Sequence, residues 1–273
     1  MRALITLAVL LMSAYLGLCA LLYVQQRSLL YFPRPRALPA EESLFTLEVD
    51  GAALVVTHRP GAAARANALI YFGGNGEDVS ISLAPLAEQF PDHALYLMHY
   101  RGYGGSGGTP SEQALKADAL ALFDQVRGQH GQIALIGRSL GSGVAIHVAA
   151  RRAVSRLGLI TPYDSLVAIA AENYPVFPVH WLMIDQFRSL EDVPLVQAPT
   201  LVLLAEQDQI IPRANSERLI AAFAPQQVTV KVIEGTGHNS ISSSAWYWES
   251  LRQGLTAPQT AQLKVTDSGA SSQ

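Results

Sequence analysis

Cysteine is almost missing from this chain of 273 residues, whose single example is Cys19. One cysteine excludes an internal disulfide framework and a zinc site built from cysteine ligands. The seven histidines form neither an H-E-x-x-H motif nor a His/Cys cluster. We therefore expect neither a metal ion nor another cofactor.

Charged residues are also scarce, at 15% of the chain, and the formal net charge is −3. Without an excess of lysine and arginine there is no basic field for nucleic acid, so we expect no nucleic-acid partner. Hydrophobic residues make up 49% of the chain. That content is enough to bury a sizeable core, and the length allows one large α/β domain or two small ones.

An apolar run without any charge fills residues 3–24. At helical rise it is long enough to cross the roughly 30 Å hydrocarbon core of a bilayer. A cleavable signal peptide has a shorter apolar region and a small-x-small site near its end, so an uncleaved membrane anchor over residues 1–26 is favoured. A lipoprotein site at Cys19 is disfavoured, because the bulky Leu18 precedes it.

The basic residues around this run leave the orientation in the membrane open. Arg2 precedes the run, whereas Arg27, Arg34 and Arg36 follow it. This count favours a cytoplasmic location for the rest of the chain, by a narrow margin. We predict a single-pass membrane protein and do not assign the side that carries its globular domain.

The remainder of the chain divides into a linker, one domain and a tail. Three prolines in YFPRPRALP predict an extended linker over residues 27–39. Over residues 40–255, short apolar runs alternate with helical patterns, which indicates a doubly wound α/β domain with a mostly parallel sheet. Residues 256–273 are rich in Ser, Gln, Thr and Ala and are predicted to be disordered. The predicted strands are LFTLEV, ALVVTH, ALIYF, ALYLMHY, IALIG, LGLIT, TLVLLA and VTVKVI.

One helix start in this domain has a recognisable motif. Thr109, Pro110 and Glu112 fit a capping box with proline at the first helical position. The pattern predicts a helix that begins at Pro110.

Two segments match G-x-S-x-G, one around Ser106 and one around Ser139. Ser139 follows the predicted strand IALIG and precedes a helical pattern, and Gly137 and Gly141 lie two positions away on either side. A strand, a sharp turn and a helix are what a nucleophile elbow requires. Ser106 follows YRGYG, with four glycines around it. We therefore predict that Ser139 is the nucleophile and that Ser106 lies in a surface loop.

A serine hydroxyl needs a base, and the base needs an orienting carboxylate. Asp208 follows the predicted strand TLVLLA and His238 follows VTVKVI, both at the sheet edge where Ser139 is expected. These three residues form the predicted catalytic triad, with Glu206 in reserve as the acid. Five histidines are expected to be structural: His58, His99, His130, His147 and His180.

Acyl transfer also needs backbone donors for the oxyanion that forms in the reaction. The N–H of Leu140, directly after the nucleophile, is predicted as one donor. The loop YFGGNGED supplies the other, with Asn75 as the first choice and Gly74 as the second. The alternative is that this loop is only a flexible turn.

With these residues assembled, the chain resembles the α/β-hydrolase superfamily. It is most similar to the membrane-anchored, short-cap branch with depalmitoylase-like, serine-aminopeptidase-like and lysophospholipase-like members. The resemblance covers nearly the whole chain after the apolar run and rests on YFGGNGED, YRGYGGSGGTPSE, IGRSLGSGVA, TPYDSL, EQDQIIP and GTGHN. That branch usually has His-Gly-Asn in the oxyanion loop, whereas Gly73 occupies the histidine position here.

The resemblance implies a short cap over the site, at residues 162–198. Its segment AENYPVFPVHWLMIDQFRS is rich in aromatic residues. Such a segment either lines an apolar acyl site or packs over the edge of the sheet, and the sequence leaves both open.

We therefore expect a serine hydrolase that cleaves a carboxylic ester or thioester through an acyl-enzyme. The expected substrate is a small or lipid-like acyl compound, and the expected contact with the membrane is the N-terminal helix. Two alternatives stay open: amide or peptide hydrolysis by the same triad, and a hydrolase-fold protein that binds without turnover. The retained triad disfavours the second. The sequence does not determine the oligomeric state.

Overall fold

The computed structural model describes residues 1–37, 44–63 and 66–256. The end of the expected linker lies outside the described residues, and so does the expected disordered tail apart from Thr256. Those two predictions therefore stay predictions.

All eight predicted strands form. They are β1 (Leu44–Val49), β2 (Ala52–Arg59), β3 (Ala68–Phe72), β4 (Ala94–Met98), β5 (Ile133–Arg138), β6 (Arg156–Ile160), β7 (Thr200–Ala205) and β8 (Val228–Ile233). Within the part of the chain that the structure describes, they make one eight-stranded sheet in the order β1-β2-β4-β3-β5-β6-β7-β8. The pairs β1–β2 and β2–β4 are antiparallel, and every pair from β4 to β8 is parallel. The predicted mostly parallel sheet is confirmed.

The described residues form the helices α1 (Arg2–Leu30), α2 (Leu83–Gln89), α3 (Glu112–Arg127), α4 (Leu140–Ala149), α5 (Leu166–Asn173), α6 (Val179–Leu182), α7 (Ser189–Asp192), α8 (Arg213–Ala221) and α9 (Ala245–Thr256). Helices from this set cover both faces of the sheet. Alternate residues of a strand face opposite sides. In β3, Ile70 and Phe72 therefore pack into the core layer under α3, α4 and α8, whereas Leu69 and Tyr71 pack under α2 and α9.

The predicted capping box is wrong. The N-cap of α3 is Ser111, whose Oγ accepts a hydrogen bond from the N–H of Ala114 at 3.2 Å. Glu112 does not reach back to cap the helix, because its Oε2 accepts the N–H groups of Gln186 at 2.6 Å and Phe187 at 2.9 Å. A tertiary contact has displaced the local motif, and it ties α3 to the stretch where the cap is expected.

That stretch, between β6 and β7, forms the short helices α5, α6 and α7. α1 lies against it. Among the described helices, α1 alone is long and apolar enough to cross a membrane. It continues to Leu30, past the boundary that the sequence predicts between anchor and linker at residue 26.

Candidate active site

Ser139 occupies a sharp turn between β5, which ends at Arg138, and α4, which begins at Leu140. Its backbone has φ 48° and ψ −117°. A positive φ is uncommon for a residue with a Cβ and costs about 1–3 kcal/mol. The surroundings hold the turn, since the N–H of Ser139 donates to the carbonyl of Ile160 at 2.9 Å and its carbonyl accepts the N–H of Ser142 at 2.8 Å.

Glycine is required on both sides of this turn. A Cβ added at Gly137 would lie 2.4 Å from the carbonyl oxygen of Gly141, and one added at Gly141 would lie 2.1 Å from the carbonyl oxygen of Phe72. These separations are shorter than any non-bonded contact allows. α4 therefore packs directly on the ends of β3 and β5, and this close approach presents Ser139 at the sheet edge.

Gly141→Ala is expected to destabilise the fold by about 1–3 kcal/mol or more, because neither backbone segment can yield to the added methyl group. Thermal unfolding of the detergent-solubilised protein, followed by tryptophan fluorescence, measures the effect. Gly131→Ala is the matched control, since a Cβ at Gly131 meets nothing within 4 Å and its stability should stay within about 0.5 kcal/mol of the parent. Equal melting temperatures for the two variants would refute the packing described above.

The structure brings the three residues of the predicted triad together. His238 Nε2 lies 3.0 Å from Ser139 Oγ, and His238 Nδ1 lies 2.8 Å from Asp208 Oδ2. Asp208 and His238 follow β7 and β8, so all three side chains meet at the carboxyl ends of parallel strands. The arrangement can pass a proton from the hydroxyl to the imidazole while the carboxylate fixes the tautomer of the ring.

Asp208 is held as a carboxylate. Burial acts to raise the pKa of this carboxyl, but the hydrogen bonds from His238, Ile211 and Ile210 outweigh it and place the pKa below its ordinary value. The two backbone donors bind the other oxygen, Oδ1, at 2.8 Å from Ile211 and 2.9 Å from Ile210. Oδ2 is therefore left for His238. Glu206 accepts the N–H of Gly235 at 2.8 Å instead.

Ser106 has a different environment. Its Oγ accepts the N–H of Val55 at 2.8 Å and donates to the carbonyl of His99 at 2.9 Å, and the side chain is buried. The hydroxyl therefore joins the glycine-rich loop to β2. The prediction of a surface loop is wrong for Ser106 itself, because the loop folds back onto the sheet.

The histidines that we expected to be structural have partners away from Ser139. Burial lowers the pKa of His99 to about 4, and its Nε2 lies 2.9 Å from Thr57 Oγ1. The side-chain contacts of three others are His58 with Phe45 and Tyr96, His130 with Tyr96 and Ala66, and His147 with Asp192, whereas His180 is exposed and contacts Gln186 through its backbone carbonyl. Across the described ranges, no group of three or more His, Cys, Asp or Glu side chains is placed to hold a metal ion.

The predicted oxyanion donors lie beside Ser139. A Cβ added at Gly74 would be 3.6 Å from Ser139 Cβ, which puts the loop after β3 next to this serine. The N–H of Gly74 is already engaged, since it donates to Glu77 Oε2 at 2.7 Å. The N–H groups of Asn75 and Leu140 donate to no other group within residues 1–37, 44–63 and 66–256. The geometry therefore favours Asn75 over Gly74.

Two residues that the sequence did not single out connect the loops of the site. Glu77 Oε2 accepts from Arg138 Nη1 at 3.2 Å, and Arg138 Nη2 donates to the carbonyl of His238 at 3.4 Å. Glu77 Oε1 also accepts from Tyr71 and Ser82. An arginine at the end of a buried strand needs a carboxylate nearby. Arg138 at the end of a predicted buried strand could therefore have indicated from the sequence that an ion pair forms here.

The side chain of Asn75 holds the C-terminal end of α1. Its Oδ1 accepts the N–H of Phe32 at 3.1 Å and the hydroxyl of Tyr103 at 2.8 Å, and its Nδ2 donates to the carbonyl of Leu30. The same residue thus offers its backbone N–H to the site and its amide to α1.

A cleft of about 140 Å³ lies over these groups. Its lining comes from the loop after β3, the Ser139 turn and the His238 loop: Gly74, Asn75, Gly76, Glu77, Arg138, Ser139, His238 and Asn239. No residue of the expected cap lines this cleft. An apolar acyl site formed by the cap therefore stays a prediction.

Known proteins are similar to this chain in sequence or in fold. No protein-family model matches the chain. The uncharacterized protein Rv2307c of Mycobacterium tuberculosis is 38% identical over 237 residues, which cover 82% of this chain and 84% of that protein. The lysophosphatidylserine lipase ABHD12 of Macaca fascicularis is 30% identical over 185 residues, 58% of this chain and 45% of that protein.

A solved structure has the same architecture. Est1E of Butyrivibrio proteoclasticus, with ferulic acid bound, superposes with a TM-score of 0.64 at 17% identity, over 77% of this chain and 96% of that one. Est1E is similar to this chain in fold alone. The alignment with ABHD12 adds similarity of sequence. The chain belongs to the α/β-hydrolase superfamily.

Proposed function

We propose that the chain is a serine hydrolase that cleaves a carboxylic ester or thioester through an acyl-enzyme. The observation that carries the proposal is the continuous hydrogen-bonded path from Ser139 Oγ through His238 to Asp208, with distances of 3.0 and 2.8 Å, at a strained turn. Preorganised geometry of this kind is what nucleophilic catalysis by serine requires.

In the first half-reaction, His238 Nε2 takes the proton of Ser139 as Oγ attacks the acyl carbonyl carbon. The resulting oxyanion is bound by the N–H groups of Leu140 and Asn75. His238 then gives its proton to the departing alcohol or thiol, and the bond to that group breaks. The acyl group is left as an ester on Ser139.

In the second half-reaction, His238 takes a proton from water, which attacks the same carbonyl carbon. The tetrahedral intermediate collapses, Ser139 recovers its proton from His238, and the carboxylic acid leaves. Asp208 remains ionised throughout and stabilises the imidazolium that forms in each half. Its lowered pKa supports this role.

The proposed substrate is a lipid-like acyl compound, and the proposed location is a membrane. The name of ABHD12 describes a lipase for lysophosphatidylserine, and its alignment with this chain covers 58% of the chain. α1 is long enough to span a bilayer and is largely exposed. We accordingly assign residues 1–26 to a membrane anchor and 40–255 to the hydrolase domain, with the cap at 162–198.

Labelling with a fluorophosphonate probe tests the assignment of the nucleophile. The parent protein and Ser106→Ala should both be labelled, whereas Ser139→Ala should not. A panel of acyl esters, acyl thioesters and aminoacyl amides, measured on the parent protein, then ranks the substrate classes. Labelling that survives in Ser139→Ala would overturn the proposal, and the fastest turnover on amides would redirect it to amide hydrolysis.

A further inference from the structure

One segment of the cap runs beside α1. Tyr15 donates its hydroxyl proton to the carbonyl of Val176 at 2.8 Å, and its ring stacks on that of Phe177 with 6.0 Å between centroids. Further along α1, Gln26 Nε2 donates to the carbonyl of Leu182 at 3.2 Å. Residues 174–182 of the cap therefore follow α1 from Tyr15 to Gln26.

This contact sets a depth for the cap. The apolar run of α1, which carries no charge, is residues 3–24. Only twelve of those residues precede Tyr15, and at 1.5 Å per residue they reach roughly 18 Å, well short of a core of about 30 Å. A spanning α1 therefore has Tyr15 inside the hydrocarbon, and the cap residues that touch Tyr15 lie there as well.

The composition of residues 174–182, YPVFPVHWL, suits that environment because it includes no Asp, Glu, Lys or Arg. The side chains turn outward: Trp181 is 88% exposed, Val176 70% and Tyr174 60%. Apolar side chains this exposed in water mark a contact surface. Apart from the exposed His180, the segment is thus apolar and aromatic, and it is open on the side that α1 does not cover.

The charges on both flanks of the segment are paired. Glu172 accepts from Arg218 Nη2 at 2.8 Å. Asp185 accepts from Arg27 Nε at 3.0 Å, at the end of α1 where its charge-free run has stopped. The ion pair of Arg27 with Asp185 therefore marks the same level on the helix and on the cap, as expected at the surface of a bilayer.

Most backbone N–H groups of the segment are hydrogen-bonded, which lowers the cost of taking its backbone out of water. Two prolines carry no N–H at all. Other N–H groups donate to carbonyls within or next to the segment: those of Tyr174, Phe177, Val179, Trp181 and Leu182. In addition, the carbonyl of Val176 accepts a hydrogen bond from the hydroxyl of Tyr15, so α1 supplies a donor to the cap backbone where the two meet.

We propose that residues 174–182 of the cap enter the lipid bilayer beside α1. This inference rests on the proposed membrane anchor and goes beyond it, because it adds a second membrane element that belongs to the hydrolase domain itself. It also places the active site at the membrane surface, since Asn75 in the site holds Leu30 and Phe32 at the end of α1. An acyl substrate then reaches Ser139 from the leaflet.

Depth-dependent quenching tests the proposal in the full-length protein. Trp246→Phe/Trp248→Phe leaves Trp181 as the one tryptophan, and the protein is reconstituted in phosphatidylcholine vesicles with brominated acyl chains. Trp181 should lose most of its emission relative to unbrominated vesicles and resist quenching by aqueous iodide. The matched control, Trp181→Phe/Trp248→Phe, retains Trp246, which is 48% exposed on α9 and should show the reverse pattern.

Each outcome decides the question without any measurement of hydrolysis. Iodide quenching of Trp181 in a protein that resists carbonate extraction would overturn the inference and leave the anchor standing. Release of the protein by carbonate would overturn both. A Trp181 that neither bromine nor iodide quenches would be covered by protein, which also overturns the inference. Loss of hydrolysis in Ser139→Ala is independent of all three.

Discussion

His238→Ala is expected to lower kcat for ester hydrolysis by roughly 10⁴- to 10⁶-fold. In the proposed mechanism the base is His238 Nε2, which lies 3.0 Å from Ser139 Oγ. Without it the hydroxyl keeps its proton and remains a weak nucleophile. The residual rate comes from the oxyanion donors and from substrate binding, so KM should change far less than kcat. Steady-state kinetics on a short-chain ester measures both parameters, and circular dichroism checks that the variant folds.

A pair of isosteric variants distinguishes Asp208, the predicted acid of the triad, from Glu206, the second candidate. Asp208→Asn retains the oxygen that accepts from Ile210 and Ile211 but turns an NH₂ group toward His238, which selects the wrong tautomer and should cost about 10⁴-fold in kcat. Glu206→Gln should leave kcat unchanged, because Glu206 contacts Gly235 and not His238. The opposite order of effects would identify Glu206 as the acid.

Much of the fold was predictable because it depends on local apolar patterns. Every predicted strand formed, since short buried runs between helical patterns are typical of a parallel sheet. The turn at Ser139 could also be predicted, because the strand, the two glycines and the helix that shape it are adjacent in sequence. The position of β4 between β2 and β3 could not be predicted in this way. It depends on crossovers between distant segments, which no local pattern encodes.

The remaining parts of the site depend on long-range partners. Arg138 and Glu77 are 61 residues apart, and Asn75 contacts Phe32 across 43 residues. The ion pair follows only once β3 and β5 lie side by side, and the contact of Asn75 only once the end of α1 lies against the loop after β3. The capping box failed for the same reason, because the carboxylate of Glu112 found backbone donors in the cap. Local sequence patterns were enough to predict the triad residues, whereas tertiary contacts determine how the loops that carry them are held.

Glu77→Ala is the substitution that should damage those loops most. The ion pair it breaks is mostly shielded from solvent, with side-chain exposures of 11% for Glu77 and 18% for Arg138. Removing one partner of a buried pair leaves an uncompensated charge and typically costs about 3–5 kcal/mol. The N–H of Gly74 also loses its acceptor, so the loop that carries Asn75 is released beside Ser139. We expect a lower melting temperature together with a fall in kcat of about 10²-fold, the size of effect seen when one oxyanion donor is lost.

A double variant separates these two effects. In Glu77→Ala/Arg138→Met the unpaired charge is gone, so part of the stability should return, and a double-mutant cycle then measures the coupling between the two side chains. The activity should stay low, because methionine gives Gly74 no acceptor in place of the carboxylate. Glu234→Ala, at an exposed position, is the control for the loss of a carboxylate and should match the parent in both measurements. If the double variant recovered full kcat along with its stability, the ion pair would stabilise the fold alone. The hydrogen bond between Glu77 and the N–H of Gly74 would then have no part in catalysis.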